Sequence, residues 1–197
     1  MDLSKLFSTE GRGSILAAVL YKKGGVTVGD LARELRLGKS YVSRYLTILK
    51  KERILIRKRS GYFVAGSFDV RLLKILLGLK ALAGFDFRKY PFVSGAGVYG
   101  SAAKGENDEG SDIDIWIAVS ELDELKNSKL SAALRKNAGK VSLLYMTEEK
   151  LRTLQKEDPL FLQSLVFGSI RLYGGSLVEL PGMLKEGLDQ EDRSFPG

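Results

Sequence analysis

Apolar positions recur along the first third of the chain at the spacing of amphipathic helices. Ile15, Leu16, Val19 and Leu20 predict a helix over about Gly13 to Lys23, ended by Gly24-Gly25. Thr27 stands as a cap before a short helix, Val28 to Leu35, with Leu31, Ala32 and Leu35 facing inward. Leu37-Gly38 makes a tight turn, after which Val42, Leu46 and Leu49 line one face of a helix from about Ser40 to Glu52. Its other face shows Ser40, Tyr41, Ser43, Arg44 and Thr47. Two β-rich runs follow, Ile54 to Lys58 and Tyr62 to Ala65, joined at Ser60-Gly61 as a hairpin. Phe68 to Gly84 is apolar on nearly all sides, which implies a helix buried against two partners. It reads as a linker between domains, the first helix of a second domain, or a dimer seam.

Beyond that helix the pattern turns to strands. Phe92 to Tyr99, Asp112 to Ile117 and Lys140 to Met146 are β-like, and Thr147 caps a helix opening on Glu148 and Glu149. The expected fold class is α/β (α+β), a helical N-terminal module followed by a small domain with a mixed sheet. The boundaries expected are 1–66, a connecting helix over 67–88, the second domain over 89–180, and a polar tail over 181–197.

Composition narrows the chemistry. The 197 residues include no cysteine and no histidine, so disulfides, thiol catalysis, zinc fingers and histidine bases are excluded. What remains is carboxylates, hydroxyls, lysines, backbone amides and hard cations. No window is long and apolar enough for a membrane span and the N-terminus has no signal-peptide core, so the expected location is cytoplasmic, with no membrane partner. The net charge of +7 is uneven: residues 1–66 hold 14 Lys/Arg against 5 Asp/Glu, and the rest hold 17 against 19. Arg36 to Arg59 alone carries nine basic residues and one acid. Such asymmetry marks a polyanion-binding module joined to a part with different work.

The segment LARELRLGKSYVSRYLTILKKERILIRKRSGYFV resembles winged helix-turn-helix regulators of the multiple-antibiotic-resistance and arsenic-repressor types, over roughly Gly11 to Gly66. It departs from them at Glu52-Arg53, where a glycine-containing turn is usual. The resemblance implies double-stranded DNA as partner. The helix from Ser40 would enter the major groove, with Ser40, Tyr41, Ser43 and Arg44 near the bases and Lys39 as a further DNA contact. Lys50, Lys51, Arg57, Lys58 and Arg59 would neutralise phosphates. A homodimer is the usual habit of such regulators.

Gly95-Ala-Gly97-Val-Tyr-Gly100 matches the dinucleotide pattern G-x-G-x-x-G, but its glycines lie inside a β-like run and no crossover helix follows. We read that match as chance. The more informative pattern is Gly100-Ser101, ten residues, then Asp112-Ile-Asp114. Acids two apart on a strand face the same way and repel unless a cation lies between them. Oxygen ligands so placed suit magnesium, or manganese, completed by waters and substrate phosphates. Gly100-Ser101 would open a short helix whose free amides and Ser101 hydroxyl bind an anion.

VYGSAAKGENDEGSDIDIWIAV resembles the signature of the DNA polymerase beta-type nucleotidyltransferases, in particular their small "minimal" prokaryotic members, over roughly Lys89 to Tyr173. The resemblance assigns Gly100 and Ser101 to the triphosphate, with Lys104 as a further phosphate contact. It assigns Asp112 and Asp114 to metal binding and catalysis. It also implies a third carboxylate on the next core strand, where this chain has Ser142. Glu148 and Glu149 come just after that strand.

The expected function is a DNA-binding regulator whose nucleotidyltransferase-fold domain binds a magnesium–nucleoside triphosphate, with catalysis weakened at Ser142. The alternative is an active nucleotidyltransferase acting on a protein, RNA or small molecule, targeted by the winged helix. Small relatives add nucleotides to an RNase toxin, so a toxin-like protein partner follows by analogy alone.

Overall fold

Short polar side chains set the helix starts. Thr9, Thr27, Asp123, Thr147 and Asp158 each accept a hydrogen bond from a backbone N–H three residues on. The structure, a computed structural model, describes residues 1–179, and the polar tail expected over 181–197 lies outside the described residues. The chain divides into two compact units, Met1–Lys80 with Gly105–Ser111, and Ala81–Lys104 with the chain from Asp112 onward. Among the described residues no helix is long and apolar enough to cross a membrane.

The first unit contains α1 (Leu3–Phe7), α2 (Glu10–Leu20), α3 (Val28–Glu34), α4 (Lys39–Lys51), the hairpin β1 (Leu55–Lys58) and β2 (Gly61–Val64), and most of α5 (Phe68–Leu82). Ile15, Leu16, Val19 and Leu20 of α2 share one buried cluster with Leu31, Val42, Leu46 and Leu49. This is the expected helix-turn-helix core. Sequence patterning overlooked α1, a five-residue helix capped by Asp2. Its Leu6 is fully buried, and the Tyr45 hydroxyl donates to the Leu6 carbonyl at 2.8 Å.

Both recognition-region helices end in the same way. Arg36 and Arg53 adopt left-handed backbone, with φ of 54° and 59°. Beyond them Leu37 N–H donates to Ala32 C=O and Ile54 N–H to Leu49 C=O, closing the six-residue loop that usually calls for glycine. Arg53 thus makes a turn that usually calls for glycine, at a conformational cost of about 1–2 kcal/mol.

Helix α5 departs from expectation. Val70 and Leu73 join the first unit's core, but Phe68, Leu72 and Leu76 are exposed in a stripe at four-residue spacing. It is therefore buried on one side and not all round.

The second unit holds a four-stranded sheet ordered β5-β4-β3-β6. Strand β3 (Val93–Tyr99) pairs antiparallel with β4 (Ile113–Val119) and with β6 (Ile170–Gly174). Strand β5 (Val141–Met146) runs parallel to β4, reached through α7 (Glu124–Ala138). The short helix α6 (Gly100–Lys104) follows β3, and α8 (Glu148–Glu157) and α9 (Pro159–Gly168) follow β5. Trp116 and Ala118 of β4 pack with Met146, Leu151, Leu162 and Leu165 on one face, while Ile115 and Ile117 are buried on the other. The G-x-G-x-x-G glycines serve this packing. A Cβ at Gly97 would fall 2.6 Å from the Trp116 indole, and one at Gly95 would meet both that ring and the Gly175 carbonyl.

Candidate functional site

At the start of β4, alternation puts Asp112 and Asp114 on the Trp116 face of the strand. Asp112 is exposed and Asp114 half-buried. Burial, and then the Asp112 charge, push the Asp114 carboxyl above the usual carboxylate range, while the Ser142 hydroxyl works against that rise. Tyr99, the cross-strand partner of Asp114, is raised mainly by burial and also by that carboxylate.

Gly100 fits tightly against the same group. Its φ is +67°, and a Cβ there would lie 2.8 Å from Asp114 Oδ2. The sharp turn from β3 into α6 therefore brings the Gly100 backbone onto the aspartate, with Ser101 next to it and Lys104 exposed one turn on. The donor set is hard oxygen from two adjacent carboxylates, one of them disfavoured as a bare charge. That chemistry fits a divalent cation carrying phosphate. Among the described residues no three or more Asp or Glu side chains are grouped so as to hold a metal ion.

Strand register identifies the neighbour of Asp114 on β5. Asp114 pairs with Ser142 across β4 and β5, so their side chains are neighbours on one face. Glu148 and Glu149 belong elsewhere: they follow Met146, the partner of Ala118, at the other end of the strand pair. From Ser142 to Met146 alone the chain advances roughly 13 Å. Glu148 is paired with Arg152 at 2.6 Å.

In the first unit, Lys39, Ser40, Ser43 and Arg44 line one hollow at the start of α4, together with Val28. Tyr41, expected beside them at the base edges, turns the other way. Its hydroxyl is 2.6 Å from Thr9 Oγ1 and its ring packs against Gly11 of α2, because position 41 lies toward the helix's buried stripe. Lys50 and Lys51 stand at the far end of α4, roughly 15 Å along the axis from Ser40. Arg57, Lys58 and Arg59 are exposed on the hairpin. The Arg57 guanidinium lies 4.6 Å over the Tyr62 ring and Lys58 Nζ 4.8 Å over Phe63, aromatic supports that sequence reading did not single out.

Comparison with known families agrees with both halves. Residues 86–176 match the family model described as Polymerase beta, Nucleotidyltransferase, and residues 10–57 match that described as Bacterial regulatory protein, arsR family. The chain thus joins an arsR-type helix-turn-helix to a nucleotidyltransferase-fold domain. No curated protein matches the chain.

Proposed function

We propose that this protein is a DNA-binding regulator whose second domain holds a magnesium–nucleoside triphosphate (manganese being an equivalent ion) and transfers nucleotide weakly. The observation that carries this reading is the pairing of Asp114 with Ser142. Asp112 and Asp114 would hold the cation, whose chemistry is to neutralise and orient the triphosphate. Gly100, Ser101 and Lys104 would take the phosphates. A serine cannot draw a proton from an acceptor hydroxyl, so in-line transfer lacks its base while binding keeps its ligands.

The helix-turn-helix supports the other half. Lys39, Ser40, Ser43 and Arg44 would face the major groove, and Arg57, Lys58 and Arg59 the phosphate backbone. Lys50 and Lys51 would reach phosphate only at the far end of the helix.

Calorimetry with each nucleoside triphosphate and magnesium tests the reading. Wild type is expected to bind, and Asp112→Asn/Asp114→Asn to lose metal-dependent binding. No binding of any triphosphate by wild type would overturn it. Stoichiometric transfer of label from nucleotide to a protein, RNA or small molecule would replace it with the active-transferase reading.

A further inference from the structure

The seven residues Gly105–Ser111 stand in the chain between Ser101 and Asp112, yet they fold with the first unit. Their attachments are several and of different kinds. Gly105, at φ +68°, sits so close to the Arg71 carbonyl of α5 that a Cβ would overlap it. Asn107 is only 7% exposed, and its backbone carbonyl accepts from Lys74 Nζ at 2.6 Å. The Glu109 N–H donates to the Tyr21 carbonyl, at the end of α2, at 2.8 Å. Lys22 and Lys23, the next two residues, pair with Glu109 and Asp108 at 3.3 Å each. Asp108 also fixes the local turn, accepting from Gly110 N–H at 2.9 Å.

The residues that grip this segment belong to the DNA-binding module. Tyr21 caps α2, whose Val19 and Leu20 are in one buried cluster with Val42 and Leu46 of α4. Lys74 and Tyr21 are themselves tied, the Tyr21 hydroxyl donating to the Lys74 carbonyl at 2.9 Å. A packed path therefore runs from the segment through α2 to the helix carrying Ser40 and Arg44. At its other end the segment leads directly into Asp112.

We propose that Gly105–Ser111 is a strap coupling nucleotide binding to DNA binding. The proposal rests on the reading above, that both ligands bind; Lys74, Lys22 and Lys23 hold the strap to the first unit. A cation–triphosphate held between Ser101 and Asp112 constrains the strap's ends, and the strap transmits that constraint to α2. Coupling of this kind is reciprocal, so each ligand changes the other's affinity by the same factor.

The test titrates magnesium–nucleoside triphosphate with and without a saturating duplex of random sequence, at fixed ionic strength, and repeats the titration in the reverse order. Two variants loosen the strap without touching either binding surface: Lys74→Met, and the isosteric pair Asp108→Asn/Glu109→Gln. In wild type the triphosphate affinity is expected to change about fivefold or more with duplex, and duplex affinity by the same factor. In both variants that factor is expected to fall to near one while each ligand alone binds as in wild type. Asp112→Asn/Asp114→Asn reports simple competition of triphosphate for the basic surface, which would leave a factor insensitive to magnesium. Coupling that is absent in wild type although both ligands bind, or unchanged in both variants, would overturn the strap. Failure of wild type to bind any triphosphate would instead overturn the reading on which it rests.

Discussion

Asp114 and Ser142 occupy matched positions in adjacent parallel strands of the second unit's sheet. The hydroxyl of Ser142 is the neighbour that lowers the Asp114 pKa against burial and the Asp112 charge. An acid in its place would put three carboxylates within one small volume. Ser142→Asp is therefore expected to lower stability by about 1–3 kcal/mol in chelator. Magnesium should restore most of that loss, and nucleotide transfer should rise. Thermal melts with and without magnesium check the first part. A midpoint indifferent to magnesium would show that position 142 does not face the cation.

Gly100→Ala tests the proposed phosphate site. A methyl group there meets Asp114 Oδ2, and the backbone must hold φ +67° with a side chain present. The substitution should cost about 1–2 kcal/mol in folding. Triphosphate affinity should fall about tenfold or more, an equivalent energy. Urea titration and calorimetry on the same preparation separate the two effects.

The hairpin cations are expected to act on phosphate alone. Replacing Arg57, Lys58 and Arg59 with alanine should weaken duplex binding uniformly across sequences. The slope of log affinity against log salt should become shallower by about one for each phosphate contact removed. Substituting Tyr62 or Phe63 by leucine should produce a smaller loss, since the ring only steadies the cation above it. An unchanged slope in the triple variant would place the wing off the backbone.

Tyr45 ties α1 to α4. Tyr45→Phe leaves the Leu6 carbonyl without its donor and should cost about 1–3 kcal/mol. Burial pushes the Tyr45 hydroxyl far above the ordinary tyrosine range. The unfolded chain therefore releases that proton near pH 10 while the folded chain keeps it. Stability is complete below about pH 10 and declines as pH rises toward the folded value. Melting points measured from neutral to strongly alkaline pH should fall less steeply for Tyr45→Phe than for wild type.

Much of the architecture was legible locally. Thr27 and Thr147 mark the starts of α3 and α8 because a cap needs only its own backbone a few residues on. The spacing Gly100-Ser101 to Asp112-Asp114 announced a turn, a short helix and a strand, and Ser142 was located by counting along the next strand. Helix α1 escaped notice because five residues carry too little periodicity to register.

By itself, then, the sequence determined the caps, the recognition helix, the basic hairpin and the paired aspartates, all of which depend on neighbours within about a dozen residues. Only the tertiary structure decided what Gly95 and Gly97 are for, since the indole they accommodate arrives from the adjacent strand. It alone turned Tyr41 from the outer face to Thr9, thirty-two residues away. It placed left-handed turns on Arg36 and Arg53, where packing of Leu37 and Ile54 outweighs the local cost. It also assigned Gly105–Ser111 to the first unit. Each of these is a choice between conformations of similar local energy, made by contacts between residues far apart in the chain.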